Sequence, residues 1–208
     1  MISGLTNLST LKAWLLPASL VDGGDYDDHI AVIGKGVAGQ LESHCNRKFA
    51  RTLGDVFECT ADREHLVLPR YPVEQIISLE MQFSLAEGWQ AQTPLTDVIW
   101  NQALDRGLVY FGFRQAPNVL WRMRLTFDGG FWIDDTEDNS GTLPDGATAM
   151  PDSLLLAWKL QCEHVWQQRD KLGISVGEKP ATSPALAAIE LLPAVKDHLR
   201  EFIRYTLT

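Results

Sequence analysis

VLWRMRLTFDGG, spanning Val119–Gly130, and then, after a polar loop, MPDSLLLAWKLQCEHVWQQRD, spanning Met150–Asp170, form the stretch on which the fold turns. In the first segment Val119, Trp121, Met123, Leu125 and Phe127 share one face, while Leu120, Arg122, Arg124 and Thr126 take the other. That period-two alternation belongs to a half-buried strand. Asp128, Gly129 and Gly130 end it. In the second segment Leu154, Leu155, Trp158, Cys162, Val165, Trp166 and Arg169 recur at spacings of three and four, which predicts a helix over 151–170. Pro151 suits its first turn, where the N–H that proline lacks would have no partner.

Working outward, Ser9 is placed to cap a short helix over 9–16 with Leu11, Trp14 and Leu15 as its apolar stripe and Pro17 as its stop. Val21-Asp22-Gly23-Gly24 reads as a turn. A second helix is predicted over 25–49, because Tyr26, Ile30, Ile33, Val37, Leu41, Cys45 and Phe49 follow one another by three or four residues. Asp25, Asp27 and Asp28 favour its positive N-terminal end, and Asn46-Arg47-Lys48 closes it with a basic last turn. Residues 51–127 read as sheet. The clearest strand there has Ile77, Leu79, Met81, Phe83 and Leu85 alternating with polar residues; shorter candidates are Val56–Thr60, His65–Leu68 and Leu108–Phe111. Strands so close in sequence, with no helices between them, pair antiparallel. Gly88-Trp89 and Asp105-Arg106-Gly107 are the expected hairpin turns. Residues 172–184 read as a linker, and a last helix starts near Pro193 with Val195, Leu199, Phe202 and Ile203 on one face. The class is therefore α+β: a small helical bundle with an antiparallel β-sheet insertion and a C-terminal helical arm. Its expected division is a body over 1–172 and an arm over 173–208.

With 208 residues, 45% of them hydrophobic, the chain can bury one sizeable core with an appendage. No apolar run is long enough for a bilayer and no basic-then-apolar leader opens the chain, so a soluble, intracellular protein is expected. Cys45, Cys59 and Cys162 are an odd set without a Cys-x-x-Cys pair, which points to reduced cysteines and away from a disulfide framework. The net charge of −9 is uneven: residues 1–152 hold 21 acids and 11 bases, the remainder 6 and 7. An acidic body is a poor grip on DNA, since phosphate binding needs clustered Lys and Arg. It suits a surface that DNA slides past.

The strongest chemical motif is Gly34-Lys35-Gly36-Val37-Ala38-Gly39, which matches G-x-G-x-x-G, follows the apolar Ile30–Ile33, and has Glu58 beyond it. A dinucleotide site needs a strand before this loop and a βαβ unit around it. Residues 51–127 offer strands without crossover helices, so the glycines are placed within a helix, where they permit a neighbour to approach closely. A nucleotide-binding enzyme using this segment is the alternative function. His44 with Cys45, and Cys162 with His164, lack the spacing of a metal site, since adjacent or alternate residues face different directions on a helix. The run Asp134, Asp135, Glu137, Asp138 lacks the ordered ligands and central glycine of a calcium loop and reads as a solvated loop. No assembled catalytic group is found, and no catalytic, cofactor or metal residue is assigned. Trp89 and Trp132, near turns, are the tryptophans best placed to meet a partner.

The order of these pieces resembles the head-to-tail connector family of long-tailed phages and prophages, also called adaptor or head-completion proteins, over roughly residues 6–172. The resemblance is carried by the short first helix with Lys12, the acid-started helix ending in Asn46-Arg47-Lys48-Phe49, and Leu68-Pro69-Arg70-Tyr71-Pro72-Val73 leading into the strand through Ile77. Leu125-Thr126-Phe127-Asp128-Gly129-Gly130-Phe131 and the Met150-Pro151 helix start complete it. The loop over 133–149 is long for the family and the β region large. The resemblance implies a non-enzymatic ring of twelve subunits that docks beneath the portal protein, meets a tail terminator or other tail proteins, and passes DNA through its channel without reading its sequence. It implies a place in the virion, at the head-to-tail interface, after assembly in the host cytoplasm, with no cofactor and no membrane; a tail-completion protein of the same particle is a further alternative. On this reading Val195, Leu199, Phe202, Ile203, Tyr205 and Leu207 dock the arm on the portal or a neighbouring subunit. Trp132, Asp134, Asp135, Glu137 and Asp138 form a loop facing the channel or the tail.

Overall fold

The computed structural model describes residues 4–61, 65–84, 86–97, 99–111, 121–134, 136, 140–169 and 189–204. The protein is α+β, and its chain divides into a helical unit (Met1–Asn46, Ile133–Pro144, Ala149–Ile203) and a sheet unit (Arg47–Trp132, Asp145–Thr148, Arg204–Thr208).

The helical unit is built from α1 (Leu8–Leu15), α2 (Ala18–Val21), α3 (Asp27–Cys45), α4 (Asp152–Gln167) and α5 (Pro193–Leu199), with α4 packed on α1, α3 and α5. The periodic residues meet at its centre: Leu11, Ile30, Ile33, Val37, Leu41, Leu154, Trp158, Cys162 and Val165 are all buried. Three helix ends differ from expectation. The cap of α1 is Asn7, whose Oδ1 accepts the Thr10 N–H at 2.9 Å, and Ser9 instead donates its hydroxyl to the same oxygen at 3.0 Å. Helix α3 stops at Cys45 and not at Phe49, because Asn46 takes the left-handed conformation (φ 51°) and turns its N–H back to the carbonyls of Glu42 and Ser43. Arg47, Lys48 and Phe49 therefore leave the helix for the sheet unit, where the Lys48 N–H reaches the Pro69 carbonyl at 2.8 Å. Helix α4 runs from Asp152 to Gln167, with Pro151 as its extended N-cap.

All three glycines of the Gly-Lys-Gly-Val-Ala-Gly segment lie inside α3, and Ile30–Ile33 before them is helical. The Gly34 carbonyl lies at a close approach that explains the glycine at Gly4. The Gly34 carbonyl accepts the buried Trp158 indole N–H at 3.0 Å, and a Cβ at Gly4 would sit 2.4 Å from that same oxygen. Gly39 has no such neighbour, for a Cβ there would meet nothing within 4 Å. Gly39→Ala is therefore expected to stabilise the helical unit by about 1 kcal/mol, seen as a raised urea midpoint at unchanged slope.

The C-terminal helix is not a detached arm. Val195 and Leu199 on α5 and Phe202 just beyond it are buried, α5 packs on α4, and the segment leading to it is fastened by side chains of the helical unit. Fully buried Gln161 donates to the Glu190 carbonyl at 3.1 Å and accepts the Leu192 N–H at 3.0 Å, while Gln40 donates to the Ile189 carbonyl at 3.0 Å. The apolar face of α5 follows the ordinary rule that an amphipathic stripe buries against its own core when one is within reach.

The sheet unit contains a four-stranded antiparallel sheet in the order β1 (Thr52–Thr60), β7 (Arg122–Gly129), β3 (Val73–Gln82), β4 (Gln90–Ala91). Its companion is a three-stranded sheet in the order β2 (His65–Val67), β6 (Leu108–Phe111), β5 (Ile99–Ala103). The short strands β8 (Phe131–Trp132) and β9 (Thr148–Ala149) follow. Leu66, Leu68, Leu79, Met81, Val109, Phe111, Met123, Leu125 and Phe127 form one core drawn from both sheets. Strand β5 was not foreseen; Leu104–Arg106 makes a single 3-10 turn and Gly107 (φ 66°) swings the chain back into β6. In β3 the alternation breaks at a bulge between Ile76 and Ser78, so Ile77 is exposed where strict period two placed it inside, and Ile76 packs on the core in its stead.

The Asp128-Gly129-Gly130 stop is a crossing point of three chain segments. A Cβ on Gly129 would lie 2.8 Å from the Pro72 carbonyl oxygen, and one on Gly130 (φ 100°) 2.7 Å from that of Ala50. The Gly130 N–H donates to the Pro72 carbonyl at 2.8 Å, and Phe131 donates to the Phe49 carbonyl at 2.7 Å. Asp128 itself is buried and clamps the strands on either side of its own: Oδ1 accepts the Gly54 N–H of β1 at 2.6 Å and Oδ2 accepts the Gln75 amide of β3 at 2.7 Å.

Candidate functional site

The residues expected to meet partners fall into three groups, and the structure treats each differently. Of the six docking residues, Val195, Leu199 and Phe202 are buried and Ile203 is half-buried, so these side chains do not present a free docking face; Tyr205 and Leu207 lie outside the described residues. Of the loop residues, Trp132 and Asp134 are described, and Asp135, Glu137 and Asp138 are not. Asp134 organises its own loop. Its Oδ1 accepts the Thr136 N–H at 2.9 Å and hydroxyl at 2.6 Å, and its Oδ2 accepts the Gly141 N–H at 2.9 Å. Thr136 in turn presents its carbonyl to the Asn7 side chain at 2.6 Å, which ties the loop to the cap of α1.

Among the described residues the acidity is concentrated in the helical unit, with 11 acids against 6 bases, whereas the sheet unit has 9 against 8. Lys12, buried on α1, is matched within that unit: its Nζ lies 2.6 Å from Asp27 and 2.7 Å from the Gly23 carbonyl. The paired histidines and cysteines do not converge on a metal. His44 is exposed while Cys45 is buried, and burial pushes the Cys162 thiol well above its ordinary pKa, which leaves it protonated and inert. Among the described residues no three potential ligands cluster, and no helix is long and apolar enough to cross a membrane. The glycine segment does not form a phosphate-binding loop, since a helix occupies the place of both the strand and the turn that such a site requires.

The surface that sequence reading missed is the outer face of the four-stranded sheet. Across β1, β7 and β3 it carries the row Glu58, Arg124, Glu80, with Arg124 2.9 Å from Glu80 and Arg122 2.8 Å from Glu58. Trp89 covers Arg124, whose guanidinium carbon lies 4.4 Å from the ring centroid. These partly exposed ion pairs contribute little stability, about 0–1 kcal/mol each, but they order the surface. One row along the strands lie Val56, Thr126 and Ser78, with the bulged Ile77 beside Ser78 and Leu53 beyond at the β1 bulge. Leu53, Val56 and Ile77 are 61%, 51% and 48% exposed, which is high for large aliphatic side chains grouped on one sheet. Gly54, whose φ of 63° makes the β1 bulge, was the one sequence signal of that irregularity.

No family model and no curated protein matches the chain. Solved structures do. A chain in the structure of the neck of an empty GTA particle, computed with C6 symmetry, matches 97% of this chain and 90% of its own length, with a TM-score of 0.56 and 14% identity. A chain in the virion of a native gene transfer agent (GTA) particle matches 89% of this chain and 91% of its own, with a TM-score of 0.55 and 14% identity. The fold is shared over nearly the full length of both. At that identity the likeness carries the architecture, including both the helical and the sheet unit, and not the side chains of any site.

Proposed function

We propose that the chain is a head-to-tail connector, or adaptor, subunit that forms a ring beneath the portal, joins capsid to tail and passes DNA through its channel. The observation that carries this reading is the shared fold with a chain of a gene transfer agent neck, over nine-tenths or more of both chains. It agrees with the family resemblance of the sequence motifs, whose Asp128-Gly129-Gly130 element is the crossing point that holds the sheet unit together. A ring of twelve contains six-fold symmetry, so the C6 symmetry used for that neck accords with the dodecamer the resemblance implies. The role is structural and non-enzymatic. It resides in surfaces that meet the portal on one side and a tail terminator or other tail protein on the other.

Charge selects the channel wall. The helical unit carries the excess of acids, and like charge along a passage keeps DNA from adhering where a basic lining would hold it. Co-expression with the portal protein of the same particle tests the reading. A cap of this chain on one end of the portal ring, in negative-stain images of the co-purified complex, is the expected result. A chain that purifies apart from the portal, and leaves its images unchanged, contradicts it.

A further inference from the structure

Arg204 belongs to the sheet unit and lies half-buried there, with no carboxylate paired to it among the described residues. Its Nη2 donates to the Val67 carbonyl at 2.5 Å, while its Nε is shut from solvent without an acceptor. Desolvation lowers the pKa of this guanidinium, an effect opposed by Tyr71, yet an arginine remains charged. Val67 sits on β2, an edge strand of the three-stranded sheet. The Leu68 N–H crosses the ladder to the Gly107 carbonyl at 2.8 Å, and in an antiparallel pair the residue before it then turns its own carbonyl to the open side. Arg204 therefore stands at the rim of a sheet, where a group from another molecule can reach its remaining donors. A partly desolvated cation bonded to one carbonyl is costly, and a carboxylate facing it relieves that cost.

The surplus of opposite sign is in the helical unit. Asp22, Asp25 and Asp28 are exposed and form no ion pair among the described residues, whereas Asp27, between the last two, is held by Lys12 at 2.6 Å. The first two flank a turn through Gly23 and Gly24 that is uncovered, for a Cβ on Gly24 would meet nothing within 4 Å. The acids of the sheet unit are mostly spoken for: Asp55, Glu58, Glu74 and Glu80 pair with Arg70, Arg122, Arg51 and Arg124. We propose that Arg204 is a docking point for the acidic segment Asp22–Asp28 of the adjacent copy in the connector ring. This rests on the ring reading above. Charge complementarity selects the occupant, because each surface is left unneutralised in the single chain and each supplies what the other lacks. The two are different patches of one subunit, so the contact is head-to-tail, the kind that generates closed rings.

The test is a double-mutant cycle in the full-length chain. Native mass spectrometry and negative stain, with and without the portal protein, read the concentration at which half of the chains are in rings. Arg204→Gln removes the charge and keeps a donor for Val67, and Asp22→Asn/Asp25→Asn/Asp28→Asn removes the acids at exposed positions. Each should melt as the wild type does and raise the midpoint by about tenfold, and their combination should raise it no further, because both remove the same contact. Should Arg204→Gln melt lower, the acid-to-amide variant decides alone, since all its substitutions are on exposed side chains. A wild-type midpoint for either variant, or effects that multiply when the two are combined, overturn the contact and leave the connector reading standing. So does an Arg204→Gln chain that keeps its rings and loses retention of double-stranded DNA, which would make the guanidinium a phosphate contact. If the wild type forms no ring under either condition, the connector reading itself falls, and this contact with it.

Discussion

Replacing Asp128 with Ala is expected to destabilise the sheet unit by about 3 kcal/mol, because it deletes two hydrogen bonds to a buried carboxylate and leaves the Gly54 N–H and the Gln75 amide without their acceptor. In a chain of this size that corresponds to a fall in thermal midpoint of about 10 °C. The effect is larger than for a typical surface-strand residue because Asp128 holds irregular backbone on both neighbours, the β1 bulge at Gly54 and the β3 register shift at Gln75. Asp128→Asn keeps one acceptor for Gly54, and Gln75 can turn its amide to accept from the new NH₂. That variant should recover roughly half of the loss. Equal losses for Ala and Asn would mean that the charge, and not the hydrogen-bond geometry, is what the site requires.

Trp158→Ala should cost more still, about 4–5 kcal/mol, and bring the helical unit close to unfolding at ambient temperature. Trp158 is fully buried, its indole N–H is bonded to the Gly34 carbonyl, and its ring meets Trp14 edge-on with centroids 6.0 Å apart. Truncation removes the largest side chain at the meeting of α1, α3 and α4 and opens a cavity that three packed helices cannot close. Trp158→Phe keeps most of the volume and loses the hydrogen bond, for a cost of about 2 kcal/mol. Urea unfolding followed by the near-ultraviolet signal of the tryptophans distinguishes the two.

The parts of the fold that could be read in the sequence are those where a single period persists. The stripe from Ile30 to Cys45, the stripe from Leu154 to Trp166 and the alternation from Trp121 to Phe127 each survive in the structure, because their residues bury against one neighbouring layer, with Leu155 and Trp121 only half-buried. What could not be read is where a local feature is outvoted by a contact distant in sequence. Ser9 is as good a cap as Asn7 in isolation; Asn7 serves because its amide also reaches Thr136, 129 residues away. Phe49 continues the α3 stripe in sequence, yet Asn46 ends the helix and Phe49 joins the strands near Phe131. Ile77 fits a perfect alternation, and only the bulge against β7 turns it outward.

The candidate surfaces were less legible than the fold. An apolar helix face looks the same in sequence whether it meets its own core or a partner's, so Val195, Leu199 and Phe202 suggested docking where the structure buries them. Conversely Leu53, Val56 and Ile77 look like ordinary strand residues, yet Leu53 and Ile77 are exposed at bulges and Val56 lies on the outer face of the sheet opposite Thr126. Of the two tryptophans set apart for partner contact, Trp89 has an intramolecular neighbour in Arg124, and the loop acid Asp134 is consumed in shaping its own turn. Surfaces are defined by what remains after folding, and a periodic pattern records only what folding uses.

The measurement that bears most directly on the central claim is a reconstruction, without imposed symmetry, of the head-to-tail neck proposed to hold this chain. The account predicts a ring of twelve copies of the two-unit fold between portal and tail, with the acidic helical unit lining the passage. A neck in which this chain is absent, present as a single copy, or arranged with a basic lining against the DNA would contradict it.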